Sequence, residues 1–255
     1  MSTPFVIWTM RRTGGTTLTD LLMTLSEYPK VEHEPFNEDR IFGPISIEWY
    51  AHKEPARTVG ALETAVRAHP LIKHCFEIHG LRFNNLLLRN LNRLGYRQII
   101  LRREDEVARI LSLQLAEATG VWGKMGSERG YAYFREEGAP ELRFDIAAAQ
   151  AHLEHCFKRW TWLEQKMLDV GITPFQLRFE DLYGDLERGK ETVRKVFDHI
   201  DIPPDSFEEH KQTIENALRY KGQNSGSVMS LVKNIDEAQA RLQNRLDILN
   251  ARPAS

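Results

Sequence analysis

The amino-acid sequence predicts an α/β protein: a single domain, residues 1–255, in which a central, mainly parallel sheet is flanked by helices on both faces. Three observations lead to this prediction. Short apolar runs alternate with longer helical patterns along most of the chain, which is typical of parallel strands joined by helices. The first run leads through a turn with two adjacent glycines directly into a helix. The length of 255 residues suits one large domain with a sizeable core.

The elements follow from the two periodicities. Strands are predicted from apolar runs of five to seven residues that end at turn residues; they are 4–9, 71–77, 97–101 and 174–179. Helices are predicted from apolar residues that recur at helical spacing; they are 16–27, 59–69, 83–94, 104–119, 145–169, 187–200 and 236–250. Two segments, 38–58 and 121–143, show no clear period, and we expect them to be loops.

Composition excludes several classes of protein. No apolar run approaches the roughly 18 residues that span a bilayer, so we expect no transmembrane segment. A basic leader is missing before the first apolar run, and Cys75 and Cys156 have no metal or redox spacing, which favours a cytoplasmic protein. The net charge of -2 argues against a nucleic-acid-binding surface.

The turn after the first strand has the chemistry of an oxyanion site. It reads Met-Arg-Arg-Thr-Gly-Gly-Thr-Thr over residues 10–17. The helix that follows presents unpaired backbone N–H groups and the positive end of its dipole. Gly14 and Gly15 allow close approach of the backbone, Thr16 and Thr17 add hydroxyl donors, and Arg12 adds a charged fork. An ordinary strand-to-helix turn with incidental basic residues is the alternative.

A second basic group follows the third predicted strand. Arg102 and Arg103 stand at its carboxyl end, and Ser112 lies on the next helix. Since the carboxyl ends of parallel strands share one edge of a sheet, we expect Arg102 and Arg12 to face one crevice. The first turn lacks the Gly-Lys pair of an ATP-binding phosphate loop, which points away from ATP and toward a transfer that needs no metal.

These residues resemble the sulfotransferases that use 3′-phosphoadenosine 5′-phosphosulfate (PAPS), especially the bacterial branch that sulfates carbohydrates, such as the trehalose and nodulation-factor sulfotransferases. The similar segments are residues 12–18, the stretch 111–122 that ends in Thr-Gly-Val-Trp, and Arg-Phe-Glu-Asp-Leu at 178–182. The resemblance covers most of the chain in order. It implies the sulfotransferase fold, in which a phosphate-binding loop follows the first strand of a parallel sheet.

The resemblance also implies which residues bind PAPS and its product, 3′-phosphoadenosine 5′-phosphate (PAP). The 5′-phosphosulfate would be held by the turn residues Arg12, Thr13, Gly14, Gly15, Thr16 and Thr17. The 3′-phosphate would be held by Ser112 with Arg102, for which Arg103 is an alternative. Lys221 and Gln223 resemble the C-terminal segment that closes over the nucleotide.

Catalysis requires a base that takes the proton of the acceptor hydroxyl. Glu34 matches the glutamate that many carbohydrate-acting members carry after the first helix, and Glu32 and Glu38 are nearby alternatives. Lys73 matches a bacterial lysine and would stabilise charge on the leaving phosphate. His74 partly matches the histidine of the cytosolic animal enzymes, but it would point to the opposite face of its strand.

The sequence therefore predicts a PAPS-dependent sulfotransferase that acts, without a metal ion, on a hydroxyl of a carbohydrate or similar small molecule. We expect 38–58 and 121–143 to form the acceptor site. An apolar stripe on the last helix, 236–250, leaves a homodimer open. Two other functions remain: an ATP-dependent kinase of nucleotides or small molecules, and a nucleotide-binding module without catalytic activity.

Overall fold

The computed structural model describes residues 2–26, 28, 32–122, 142–219 and 226–251. Its sheet consists of four parallel strands: β1 (Phe5–Thr9), β2 (Leu71–Cys75), β3 (Arg97–Arg102) and β4 (Phe175–Arg178). The strands lie in the order β2-β1-β3-β4, so β1 pairs with both β2 and β3. The α/β class and the parallel sheet are therefore confirmed. Within the described residues, no helix is long and apolar enough to cross a membrane.

Most helices lie within a few residues of their predicted bounds. In chain order they are α1 (Gly15–Leu25), α2 (Gly43–His52), α3 (Pro55–Ala68), α4 (Leu81–Arg93), α5 (Glu106–Thr119), α6 (Ile146–Asp169), α7 (Phe179–Tyr183), α8 (Leu186–His199), α9 (Asp205–Glu209), α10 (Lys211–Arg219), α11 (Gly226–Met229) and α12 (Ile235–Asn250).

The expectation of an irregular loop over 38–58 is wrong, because α2 and the start of α3 lie there. The buried positions of α2 are Gly43, Ser46 and Trp49. They recur every three residues, but two of them are small and not apolar. A search for apolar periodicity therefore does not detect this helix. Most of the other expected loop, 121–143, lies outside the described residues.

By their internal contacts the residues form two compact units, residues 1–102 with 161–220 and residues 103–160 with 221–255. The first unit contains the sheet and a core built on one of its faces, where Ile7, Ile99 and Leu101 pack with Leu18 and Leu22 of α1. The second unit has its own core, in which Leu111 and Leu115 of α5 pack with Leu242 of α12. The prediction of a single domain stays a prediction.

The opposite face of the sheet is covered by aromatic side chains. Trp8 of β1 and His74 of β2 lie edge to face at 5.2 Å, and Phe36 and Phe83 pack around His74 at 5.9 and 6.4 Å between ring centroids. Phe83 belongs to α4. Helices α1 and α4 therefore lie on opposite faces of the sheet, as the sequence predicts.

Candidate active site

The turn between β1 and α1 contains two residues in the left-handed conformation, Arg12 with φ +70° and Gly14 with φ +75°. A Cβ atom on Gly14 would lie 2.6 Å from Cε2 of Tyr183 and 3.0 Å from Cδ2 of Phe179. Glycine is therefore required at this position both for the backbone conformation and for space. Helix α1 begins at the next residue, so its first N–H groups open onto the turn.

Hydrogen bonds within the turn hold its shape. The Thr13 hydroxyl donates to the carbonyl oxygen of Met10 at 2.8 Å and also contacts the Thr9 hydroxyl. Thr9 in turn donates to the carbonyl oxygen of Leu101 on β3 at 3.1 Å. Because Thr9 and Thr13 are fully buried, these bonds connect the turn to the sheet. Thr13, which is predicted to contact the 5′-phosphosulfate, thus stabilises the conformation of the turn.

Two side chains from distant segments fix the turn from outside. The hydroxyl of Tyr183 donates to the carbonyl oxygen of Gly14 at 2.9 Å. Glu77, just after β2, accepts the backbone N–H of Arg11 at 2.7 Å and its Nε–H at 3.1 Å, both on Oε1. The Glu77 carboxylate thus offsets the charge of Arg11, and Arg12 is the next cation along the turn.

Lys73 connects the turn to the predicted base. Its Nζ lies 2.7 Å from Oε1 of Glu34 and 3.2 Å from the hydroxyl oxygen of Thr16. The side chain is only 5% exposed, and its Cε lies 3.1 Å from where a Cβ on Gly15 would stand. Gly15 therefore allows the lysine to lie across the start of α1. Burial opposes the charge of Lys73, but the charge and the hydrogen bond of the Glu34 carboxylate raise its pKa above the usual value.

Glu34 is an ionised carboxylate held in place by its neighbours. Asn37 donates to its Oε2 at 2.9 Å, and Lys73 donates to its Oε1. Burial alone would raise the pKa of Glu34, but the charge and the hydrogen bond of Lys73, with the bond from Asn37, lower it to about 2. Glu34 also has φ +55°, a strained conformation for a residue with a side chain.

The alternative carboxylates lie in different surroundings. Glu32 accepts the backbone N–H of Ile41 at 2.9 Å and lies 3.8 Å from Arg40, with half of its side chain exposed. Glu38 is exposed. Of the three glutamates, Glu34 is the one that the structure brings to Lys73.

His74 lies on the other face of β2 from Lys73, as the sequence predicts. Its Nε2 is 2.8 Å from Oδ1 of Asn84, and its ring stacks on His79 at 4.9 Å between centroids. Burial and the neighbouring His79 lower its pKa to about 3, so the ring is neutral at physiological pH. His74 is fully buried among aromatic rings, and its contacts there indicate a structural role.

The residues predicted to bind the 3′-phosphate have different neighbours. Arg102, at the end of β3, forms an ion pair with Glu164 of α6 at 2.7 Å. In the second unit, Arg103 and Ser112 line one groove of about 600 Å³ with residues of α12 such as Gln239. The prediction that one ligand contacts both Arg102 and Arg12 stays a prediction. Lys221 and Gln223 lie outside the described residues.

Sequence reasoning missed the residues that support the turn. The sequence predicts Phe179 and Glu77 as the last residues of two strands and assigns no role to Tyr183. Glu77 carried a signal, since a glutamate directly after a buried strand must be exposed or paired. Tyr183 carried none, because its partner Gly14 lies 169 residues away.

The geometry in the first unit brings an oxyanion-type turn, a buried ammonium and an ionised carboxylate together. Such a set can bind an anion, stabilise charge that develops on it and accept a proton nearby. Models of protein families, curated proteins and solved structures all fail to match this chain. The resemblance to sulfotransferases is therefore a resemblance of sequence motifs alone.

Proposed function

We propose that this protein is a sulfotransferase that moves the sulfuryl group of PAPS to a hydroxyl of a carbohydrate or similar small molecule. One observation carries the proposal: Nζ of Lys73 contacts both Thr16 at the start of α1 and the carboxylate of Glu34. The predicted anion site, a cation and a base therefore adjoin one another, although they come from three separate segments of the chain.

The reaction follows from these positions. The acceptor oxygen attacks sulfur, a new S–O bond forms, and the bond between sulfur and the 5′-phosphate oxygen breaks, so that PAP leaves. The acceptor proton goes to Glu34. Negative charge develops on the leaving phosphate, where Lys73, Arg12 and the N–H groups of α1 stabilise it.

Because Glu34 forms an ion pair with Lys73, its basicity depends on whether the sulfuryl donor PAPS is bound. While Lys73 is its partner, the pKa of Glu34 is about 2, which is low for a general base. A phosphosulfate in the turn adds negative charge next to Lys73 and competes for its ammonium. Both effects raise the pKa of Glu34. The carboxylate thus becomes a stronger base when the donor is bound.

For the 3′-phosphate the proposal follows the family resemblance, with Ser112 and either Arg102 or Arg103. The ion pair of Arg102 with Glu164 and the shared groove of Arg103 and Ser112 favour Arg103. In that case Arg103→Ala weakens binding of PAP by about tenfold or more, because a charge-assisted bond to phosphate is lost. Arg102→Ala is the matched control and has the smaller effect.

Calorimetry with PAP tests the proposal. In the presence of a metal chelator, PAP should bind, and adenosine 5′-phosphate, which lacks the 3′-phosphate, should bind about 100-fold more weakly. ATP with Mg²⁺ should bind no better than adenosine 5′-phosphate. Equal affinities for PAP and adenosine 5′-phosphate, or a magnesium-dependent affinity for ATP above that for PAP, would contradict the proposal and favour a kinase.

A further inference from the structure

Both oxygens of the Glu34 carboxylate have a hydrogen-bond donor. Nζ of Lys73 donates to Oε1 at 2.7 Å, and Nδ2 of Asn37 donates to Oε2 at 2.9 Å. Lys73 already has a role in the proposed reaction, whereas Asn37 has none. Within the described residues, Glu34 is the only hydrogen-bond partner of the Asn37 side chain. The amide group of Asn37 therefore serves the carboxylate alone.

The backbone around Glu34 supports the same contact. The N–H of Asn37 donates to the carbonyl oxygen of Glu34 at 3.0 Å, which closes a turn over residues 34–37. In this turn Glu34 has φ +55°, a conformation that persists only where its surroundings hold it. Glu34 and Asn37 are therefore joined twice, once through the backbone and once through the side chains.

Helix α2 and buried aromatic rings fix the backbone of Asn37. Its carbonyl oxygen accepts the backbone N–H of Arg40 at 2.9 Å and lies 2.6 Å from where a Cβ on Gly43, the first residue of α2, would stand. The preceding residue, Phe36, is fully buried, and its ring lies 5.3 Å from that of Phe42 between centroids. The Asn37 side chain thus projects from a fixed backbone, so that little conformational entropy is lost when it binds Oε2.

The two donors of Glu34 differ in what else they contact. Nζ of Lys73 lies 3.2 Å from the hydroxyl oxygen of Thr16 at the start of α1, so a phosphosulfate in the turn competes for the ammonium. The amide of Asn37 has no such second contact within the described residues. When PAPS binds, Oε1 therefore loses its partner while Oε2 keeps its own. The lone pairs of Oε1 become available as acceptors beside the turn.

We propose that Asn37 is a positioning residue that keeps Oε2 of Glu34 bound, so that Oε1, the oxygen beside Lys73, takes the acceptor proton. This inference rests on the proposed function. The O–H bond of the acceptor breaks, its electron pair stays on the oxygen that attacks sulfur, and a new O–H bond forms at Oε1. Asn37 exchanges no proton. Its bond favours the ionised carboxylate and so helps to lower the pKa of Glu34.

Nuclear magnetic resonance tests this geometry without an acceptor. In isotopically labelled protein, saturating PAP should shift the ammonium signal of Lys73 and leave the side-chain amide signal of Asn37 in place. In the PAP complex, Asn37→Leu should raise the pKa of Glu34 by about one unit, because a bond to the ionised form is lost. The matched control is Asn90→Leu in α4, where Asn90 accepts a hydrogen bond from Arg93 at 2.9 Å. It should leave the pKa of Glu34 unchanged.

Turnover tests the effect on proton transfer, with saturating PAPS and the sugar that the wild type sulfates fastest. Asn37→Leu should lower kcat by about tenfold, because Oε1 is no longer held in place, and should move the acid limb of the pH profile up by about one unit. KM for PAPS should stay within about twofold. Asn37→Gln restores an amide donor and should recover part of the loss. Thermal melting verifies that all variants are folded.

The inference is overturned if PAP shifts the amide signal of Asn37 and leaves that of Lys73 in place. It is also overturned if the pKa of Glu34 is the same in Asn37→Leu and the wild type, or if Asn90→Leu lowers kcat as much as Asn37→Leu does. Binding of PAP, measured first, separates the two failures. The results above overturn only the role of Asn37, whereas a protein that does not bind PAP overturns the proposed function as well.

Discussion

Lys73 and His74 are neighbours on β2, and both are almost completely buried, yet the two faces of the sheet give them opposite properties. Lys73 lies beside the turn, where Glu34 and Thr16 contact its ammonium. His74 lies among aromatic rings, where burial and His79 keep it uncharged. Burial alone therefore does not decide whether a titratable residue is charged. The charge depends on the partners that the side chain meets on its own face of the strand.

The largest expected effect comes from the base. Glu34→Gln keeps the size of the side chain but cannot take a proton, so turnover should fall by about 10²–10⁴-fold while binding of PAP stays close to that of the wild type. His74→Gln is the matched change on the other face. It should lower the free energy of unfolding by about 1–3 kcal/mol and leave the turnover of the folded protein unchanged. A loss of kcat in His74→Gln together with full activity in Glu34→Gln would reverse the comparison.

Removing the cation should destabilise the first unit. Lys73→Met leaves the Glu34 carboxylate largely buried without its counterion, which should lower the free energy of unfolding in urea by about 3–5 kcal/mol. The double variant Lys73→Met/Glu34→Gln should recover most of that loss, because no buried charge remains. If the single and double variants unfold at the same urea concentration, the ion pair does not carry this energy.

Acid should weaken the same pair. The pKa of Glu34 is lowered from 4.5 to about 2 in the folded protein, so its contribution to stability is complete above pH 4.5 and is lost as the pH falls toward 2. Between pH 5 and pH 2 the wild type should lose about 3 kcal/mol more than Glu34→Gln, which lacks this titration. If the free energy of unfolding, measured in urea, falls equally with pH in the two proteins, Lys73 does not stabilise the ionised form of Glu34.

The smallest effect concerns the support of the turn. Tyr183→Phe keeps the ring against Gly14 but removes the bond to its carbonyl oxygen, at a cost of about 1 kcal/mol. Tyr96→Phe is a matched control, because Tyr96 donates to the carbonyl oxygen of Val66, which is not part of the turn. Both variants should unfold at a lower temperature than the wild type, but only Tyr183→Phe should weaken binding of PAP. Equal affinities for PAP would mean that Tyr183 stabilises the fold without shaping the turn.

The sequence predicts the sheet and most helices because their apolar residues recur at spacings that few other structures share. It does not predict α2, whose buried face is narrow and includes Gly43 and Ser46. Local patterns in the sequence also do not show which distant segments pack together into one compact unit. The division into two units therefore emerges only from contacts between residues far apart in the chain.

For the candidate site, the sequence identifies single residues but not their pairing. Glycine and arginine in a strand-to-helix turn indicate an anion site, and the alternation of side chains along β2 already separates Lys73 from His74. The contact of Lys73 with Glu34 spans 39 residues, and no periodicity encodes it. The sequence likewise does not predict the left-handed conformations of Arg12 and Glu34, since both residue types normally adopt negative φ.

The most direct test of sulfuryl transfer is an assay with PAPS labelled in its sulfuryl group, with a chelator present and a panel of hydroxylated small molecules as acceptors. If the protein transfers the sulfuryl group, label appears in an acceptor and PAP forms in equal amount. A folded protein that leaves PAPS unchanged with every acceptor, but phosphorylates one of them from ATP and Mg²⁺, would contradict the proposed function.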